Sequence, residues 1–160
     1  MRSSFAAYYG TMADAEIREL GPGDLDALLA AYEHLHAEDD PLPERSDLEA
    51  LWMRICGDPA LIYVGAFDAG ELVATCTAAI VPNLTRGARP YAVVENVVTV
   101  PAVRRTGLGI AVLDELLSRC WKAGCYKVML LSAAERGAAH AFYERVGFDK
   151  HAKQGFIVRG

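Results

Sequence analysis

No uninterrupted apolar run in these 160 residues approaches the roughly 20 needed to cross a bilayer, which argues against a helical membrane span. Basic residues are the minority charge, 16 Lys and Arg against 21 Asp and Glu, a net −5. A general nucleic-acid binder carries the opposite balance. Cysteine is sparse. Cys56, Cys76, Cys120 and Cys125 form no C-x-x-C pair, and no His stands at a zinc-finger offset. The segment Met1 to Tyr9 has no apolar stretch of signal-peptide length. Together these read as reduced thiols in a cytoplasmic chain, without a disulfide framework or a metal site. Internal repeats and low-complexity tracts are also missing. What is present is an ordinary globular balance, 52% hydrophobic and 23% charged. The length suits one domain. Residues 1–12, closed by a second methionine at Met12, read as an N-terminal extension. Residues 13–160 read as a single domain.

Apolar spacing divides that domain into elements. Glu16 to Leu20 is a short strand. Pro22-Gly23-Asp24 opens a helix with Leu25, Leu28, Leu29 and Tyr32 on one face, expected to end near His36. A second helix begins at Ser46, where Ser46-Asp47-Leu48-Glu49 has the form of a capping box, and stops near Gly57. Leu61–Phe67 and Glu71–Val81 are strands around the Asp68-Ala69-Gly70 turn. A loop from Pro82 to Pro90 leads to a third long strand, Tyr91 to Val100, ended by Pro101. Helical spacing resumes after Gly109 with Leu113, Leu116, Leu117, Cys120 and Trp121, and ends at Gly124. Tyr126 to Ser132 is a strand, Ala138 to Val146 a short helix, and Phe148–His151 and Phe156–Arg159 two final strands. The order βααβββαβαββ defines an α/β (α+β) fold. Its central sheet is mixed and has helices on both faces.

The most informative stretch is Val97-Val98-Thr99-Val100-Pro101-Ala102-Val103-Arg104-Arg105-Thr106-Gly107-Leu108-Gly109-Ile110. A strand runs into a basic turn, and two glycines open an amphipathic helix. Free N–H groups at a helix N-terminus, reinforced by the helix dipole, suit a phosphate or pyrophosphate. No P-loop signature is present. A dinucleotide fingerprint would need glycine where Val112 stands. A glycine-tight strand-to-helix turn with no ligand has the same appearance.

Arg104-x-x-Gly107-x-Gly109 after a Val-x-Val strand resembles the acetyl-coenzyme A motif of the GNAT N-acetyltransferase superfamily. Ala141-Phe142-Tyr143-Glu144-Arg145-Val146-Gly147-Phe148 resembles the closing motif of the same superfamily. The two stand one helix and one strand apart, as they do in that family, and the resemblance covers about Ala15 to Val158. Val94-Glu95-Asn96-Val97-Val98 is most similar to the glucosamine-phosphate N-acetyltransferase branch.

The resemblance implies a GNAT-like fold, acetyl-coenzyme A as cosubstrate and a small-molecule primary amine as acceptor. It implies that the backbone of Val98 and Val100 holds the pantetheine arm, with the Val98 N–H as donor to the thioester oxygen. It places the pyrophosphate on Arg104, Arg105, Thr106, Gly107, Leu108, Gly109 and Ile110, and makes Tyr143 the general acid toward the leaving thiolate. Where the family often has Asn, seven residues before this Tyr, stands Arg136, which has the reach to contact a phosphate instead.

An amine acceptor must be neutral to attack, so a base is needed. Glu95, mid-strand among Val93, Val94, Val97 and Val98, is the candidate. Apolar neighbours there should raise its pKa. A solvent-facing strand Glu fits the same pattern. His34 and His36 with Glu38-Asp39-Asp40 resemble an amine or metal site, or a solvated loop. Asn83, Arg86 and Arg89 lie in the loop before the third strand, where Arg86 is suited to an anionic group on the acceptor. His140 has no evident partner. Phe156-Ile157-Val158 is an apolar terminal strand suited to pairing two copies as a homodimer. Two alternatives stay open: a peptide or protein N-acetyltransferase, and a non-catalytic acyl-coenzyme A sensor.

Overall fold

The computed structural model describes residues 15–36 and 39–160, so the extension at 1–12 and Glu38 lie outside the described residues. Five strands form one sheet in the order β1-β2-β3-β4-β5: Glu16–Glu19, Leu61–Asp68, Glu71–Val81, Tyr91–Thr99 and Val128–Leu130. The first four pair antiparallel, and β5 runs parallel to β4. The helices are α1 Leu25–Tyr32, α2 Arg45–Cys56, α3 Leu108–Lys122 and α4 Gly137–Val146.

Alternation along the strands sorts two cores. On one face Val64, Ala66, Cys76, Ala78, Ala92 and Val94 meet Leu108, Val112, Leu113, Leu116 and Cys120 of α3. On the other, Phe67, Leu72 and Val98 meet Leu25, Leu28 and Ala31 of α1 and Trp52 of α2. Each fully buried Leu or Val contributes roughly 1.5–3 kcal/mol. Small residues on β2 let the layers approach. A Cβ added at Gly65 would stand 2.4 Å from Leu72 Cδ1 and 2.9 Å from Leu20 Cδ1. Cys76, Cys120 and Cys125 are buried and Cys56 half-buried, all four as free thiols. Burial raises the pKa of Cys120 to about 11.

A bulge in β4 shapes the site. Thr77 pairs with Glu95, but Thr75 pairs with Val98, so β4 carries one extra residue. Asn96 takes it up at φ 52°, in the left-handed region. An inserted residue reverses which side chains face which layer. Ala92 and Val94 therefore pack under α3, while Val98, past the bulge, packs under α1.

Four boundaries differ from expectation. The first helix ends at Tyr32 rather than near His36, and Glu33 to Leu35 form turns. The second starts at Arg45 with Glu44 as its N-cap and no side-chain capping bond, so the Ser46–Glu49 box does not form. Glu49 accepts from Arg45 Nε at 2.7 Å instead. The strand expected over Tyr126–Ser132 is only Val128–Leu130. The two final strands are corrected outright. Phe148–His151 is coil and turn and Phe156–Arg159 is coil, and neither segment pairs with a strand of the sheet, which ends at β5. The observed order ends at α4.

Candidate active site

The cleft begins where β5 leaves the sheet. The last β4–β5 pair is Val94 with Leu130, and the chain from Leu131 onward does not pair. From Glu95 to Thr99 the outer edge of β4 is bare, and it leads through the Pro101–Val103 turn to the N-terminus of α3.

That terminus is built to face an anion. Gly107 is the N-cap at φ 93°, without a side-chain cap. The helical bonding starts with the Ala111 N–H donating to the Gly107 carbonyl at 3.0 Å. The N–H groups of Leu108, Gly109 and Ile110 therefore have no helical acceptor. Gly109 lets the first turn of α3 sit close against β4 and α4: a Cβ there would stand 2.8 Å from Thr99 Oγ1 and 3.4 Å from Phe142 Cε2. Arg104 and Arg105 are exposed at the turn, with Arg104 Nε donating to the Thr99 carbonyl at 3.1 Å and Arg105 at φ 67°. The Thr106 hydroxyl donates to the Val103 carbonyl at 2.7 Å and braces the turn.

The backbone roles expected of Val98 and Val100 are corrected by the ladder. The Val100 N–H donates to the Val73 carbonyl at 2.9 Å. Val98, two residues earlier and opposite Thr75, is oriented the same way. Both amides face β3, not the cleft. By alternation the N–H groups of Val97 and Thr99 face the open edge. The bulge at Asn96 sets this parity, and no residue pattern in the sequence announces it.

Tyr143 is half-buried on α4, its ring edge-on to Phe142 at 5.2 Å and to Phe148 at 6.0 Å between centroids. Burial pushes its phenol pKa up, and the Arg136 charge partly offsets this. Cys76 and Glu95 push it further up. The proton is thus firmly held at neutral pH, and the Arg136 and Glu95 charges lie close enough to act on the Tyr143 phenol. Arg136 itself is exposed, at the N-cap of α4. Glu95 needs a correction too. Its side chain is exposed rather than enclosed by valines, so the apolar environment expected for it is not there. Its carbonyl accepts from Thr77 Oγ1 at 3.0 Å.

The remaining candidates separate from this centre. Asn83 Nδ2 donates to the Thr85 and Arg89 carbonyls at 3.0 and 3.2 Å and so closes its own loop. The His140 ring bonds the Ala133 carbonyl at 2.9 Å. Among the described residues no group of three His, Cys, Asp or Glu gathers to hold a metal, and no helix is long and apolar enough to cross a membrane. A cluster that the sequence reading missed stands at the far end of β4. Lys127 Nζ lies 5.1 Å over Tyr91 and 5.6 Å over Tyr126, and the Arg89 guanidinium lies 5.9 Å from Tyr126. One lysine at a strand start has no signature of its own; the parallel β4–β5 pairing brings it to Tyr91.

Residues 26–148 match the family described as acetyltransferase (GNAT) family, and the chain belongs to that family. It is 34% identical over 146 residues to a glucosamine 6-phosphate N-acetyltransferase of Trypanosoma brucei brucei, covering 89% of this chain and 95% of that protein. Among solved structures it is similar to a putative acetyltransferase from Agrobacterium tumefaciens. That match has a TM-score of 0.84 and 43% identity, over 91% of this chain and 99% of the other. A Trypanosoma brucei acetyltransferase superposes with a TM-score of 0.76 and 30% identity, over 91% and 100% of the two chains. The expected GNAT-like mixed sheet with helices on both faces is the observed architecture, and the chain is an acetyltransferase.

Proposed function

We propose that the protein transfers the acetyl group of acetyl-coenzyme A to the primary amine of a small, anionic amino sugar. One observation carries the reading: the bare edge of β4 runs directly into unpaired N–H groups at the α3 N-terminus. A pantetheine arm lies along such an edge as an added strand, and its pyrophosphate meets Leu108, Gly109 and Ile110 beside Arg104 and Arg105. The Val97 N–H is the fixed donor for charge growing on the thioester oxygen. The amine nitrogen attacks the carbonyl carbon, the carbon–sulfur bond breaks, and the thiolate takes the Tyr143 proton. The ammonium proton leaves to Glu95, directly or through water, which its exposed position permits. The acceptor class is supported by the named activity of the trypanosomal relative. The apolar tail at Phe156–Val158 pairs a second copy.

The test is free-thiol release from acetyl-coenzyme A with a panel of amines that includes glucosamine 6-phosphate. Transfer is expected to favour the phosphorylated sugar over the unphosphorylated one. Tyr143→Phe is expected to lower kcat about 10²-fold, the scale of general acid catalysis, with acetyl-coenzyme A affinity within about twofold of wild type. Tight cofactor binding with no transfer to any amine would mark the domain as a sensor. Transfer to peptide amines alone would mark a protein acetyltransferase.

A further inference from the structure

Few polar residues are sealed inside this protein. Among the described residues they are Thr75 and Thr77, 1 and 6% exposed, two positions apart on β3 and so on the same face of it. Valine has nearly the same shape and carries no polar atom into the core. Each hydroxyl therefore brings a desolvation cost that only its hydrogen bond offsets. The two bonds run in opposite directions. Thr75 Oγ1 donates to the Val64 carbonyl on β2 at 2.8 Å, within an unbroken stretch of the β2–β3 ladder. Thr77 Oγ1 donates to the Glu95 carbonyl on β4 at 3.0 Å.

The second bond lands where the β3–β4 ladder breaks. Glu95 is the last residue in register before the bulge, and pairing resumes at Val98 with Thr75, so Asn96 and Val97 stand opposite Cys76 alone. A bulge moved one place earlier would fall on Glu95 itself, and one place later on Val97. Either move changes the facing of a residue at the cleft. A buried hydroxyl that ties the Glu95 carbonyl to β3 holds the extra residue at Asn96, which has the left-handed φ of 52°.

We propose that Thr77 is a positioning residue for acetyl transfer. Its hydroxyl pins the register of β4 at Glu95 and so aims the Glu95 carboxylate and the Val97 N–H at the cleft. This rests on the acyl-transfer reading of the β4 edge. A purely structural hydroxyl would act on stability and leave the rate alone.

Thr77→Val keeps the branched shape and removes the hydroxyl. Thr75→Val does the same where the hydroxyl donates away from β4, and serves as the control. In Thr77→Val, kcat is expected to fall about 10-fold while KM for acetyl-coenzyme A stays within about twofold. Thr75→Val is expected to keep kcat within about twofold, and Thr77→Ser, which restores the hydroxyl, within about threefold. Urea unfolding of each variant separates a shared loss of stability from a rate loss confined to Thr77→Val. Thr77→Ala gives the same comparison if the valine variant does not fold. Unchanged kcat without the Thr77 hydroxyl, or an equal fall in Thr75→Val, overturns the proposal. A second measurement needs no acceptor. By nitrogen-15 NMR, the Val97 amide should shift when coenzyme A binds wild type and Thr77→Ser, and shift differently in Thr77→Val, while the Gly109 amide shifts alike in all three. An identical Val97 response also overturns it. If coenzyme A binds but wild type acetylates no amine, the transfer reading fails, and the Val97 comparison still decides the role of Thr77. If coenzyme A does not move the Val97 amide of wild type, both readings fall.

Discussion

The β2–β4 sheet and the C-terminal segment after β5 are built on different terms. In β3 the seven positions from Leu72 to Ala78 are all buried, and α3 seals one face with Leu113 and Leu116, both at 0% exposure. From Leu131 to Gly160 no residue is buried, although this stretch supplies Tyr143 and Arg136. Its apolar side chains divide in two. Phe142, Tyr143, Val146 and Phe148 pack partly on the α3 core, whereas Phe156, Ile157 and Val158 touch no core. The sheet is sealed on both faces by the chain's own helices. The segment after β5 is arranged around a cleft and presents surface to something outside it. Substitutions should therefore act through folding in the first region and through binding or assembly in the second.

The largest effect belongs to the sealed half. Leu113→Ala removes a side chain held between α3 and the sheet, with no room for neighbours to collapse. It is expected to cost roughly 2–5 kcal/mol, measured by urea unfolding. The counterpart in the open C-terminal segment, Leu131→Ala at 53% exposure, should change stability by no more than about 0.5 kcal/mol. Equal losses at both positions would erase the contrast.

A smaller effect is expected where β1 joins the α1 entry. The Asp24 carboxylate accepts from Arg18 Nη1 and Nη2 at 2.7 and 2.8 Å and from the Gly21 N–H at 2.7 Å. The Arg18 hydrogen bonds hold its pKa below the usual carboxylate range, against the opposing pull of burial. A depressed folded pKa contributes stability that is present above the unfolded value, near 4, and lost as pH falls through the lower folded value. Asp24→Asn is expected to cost about 1 kcal/mol at pH 7, discounted because Arg18 is partly exposed. The gap between the two proteins should close below about pH 4 in a series of thermal melts. A gap that stays constant down to pH 2 would remove the ion pair from the account.

What the sequence disclosed follows the same division. Period-2 and period-3.6 patterns located every element of the sealed half, because burial there selects residue types position by position. The glycine turn and the helix that carries Tyr143 were legible because each is marked by particular residues at fixed offsets. The parity of β4 was not. Val97-Val98-Thr99-Val100 is equally apolar on both faces, and only the left-handed Asn96 decides which amides reach the cleft. Lys127 was missed because its partner, Tyr91, is distant in sequence. The last two strands were expected from apolar runs alone, and an apolar run says nothing about whether the same chain supplies the strand beside it.

The smallest effect on stability, and the sharpest test of the open C-terminal segment, falls on that tail. Phe156, Ile157 and Val158 are 90, 63 and 95% exposed. Three consecutive large apolar side chains in water form a patch that a folded chain seldom leaves uncovered. The tail passes the end of β5, where a Cβ on Gly155 would stand 2.6 Å from Leu131 Cδ2. Leu131 and Met129 are themselves exposed, and β5 ends the sheet with one edge unpaired. A second copy laying its tail against that edge would satisfy the strand and cover the apolar surface together. Phe156→Ser removes the largest of the three side chains and no contact within the described core. Stability of the single chain should change by about 0.5 kcal/mol or less. The mass in solution should drop from twice the chain to once the chain by light scattering at micromolar concentration. A wild-type protein that already weighs one chain under those conditions would show that the tail pairs with no second copy.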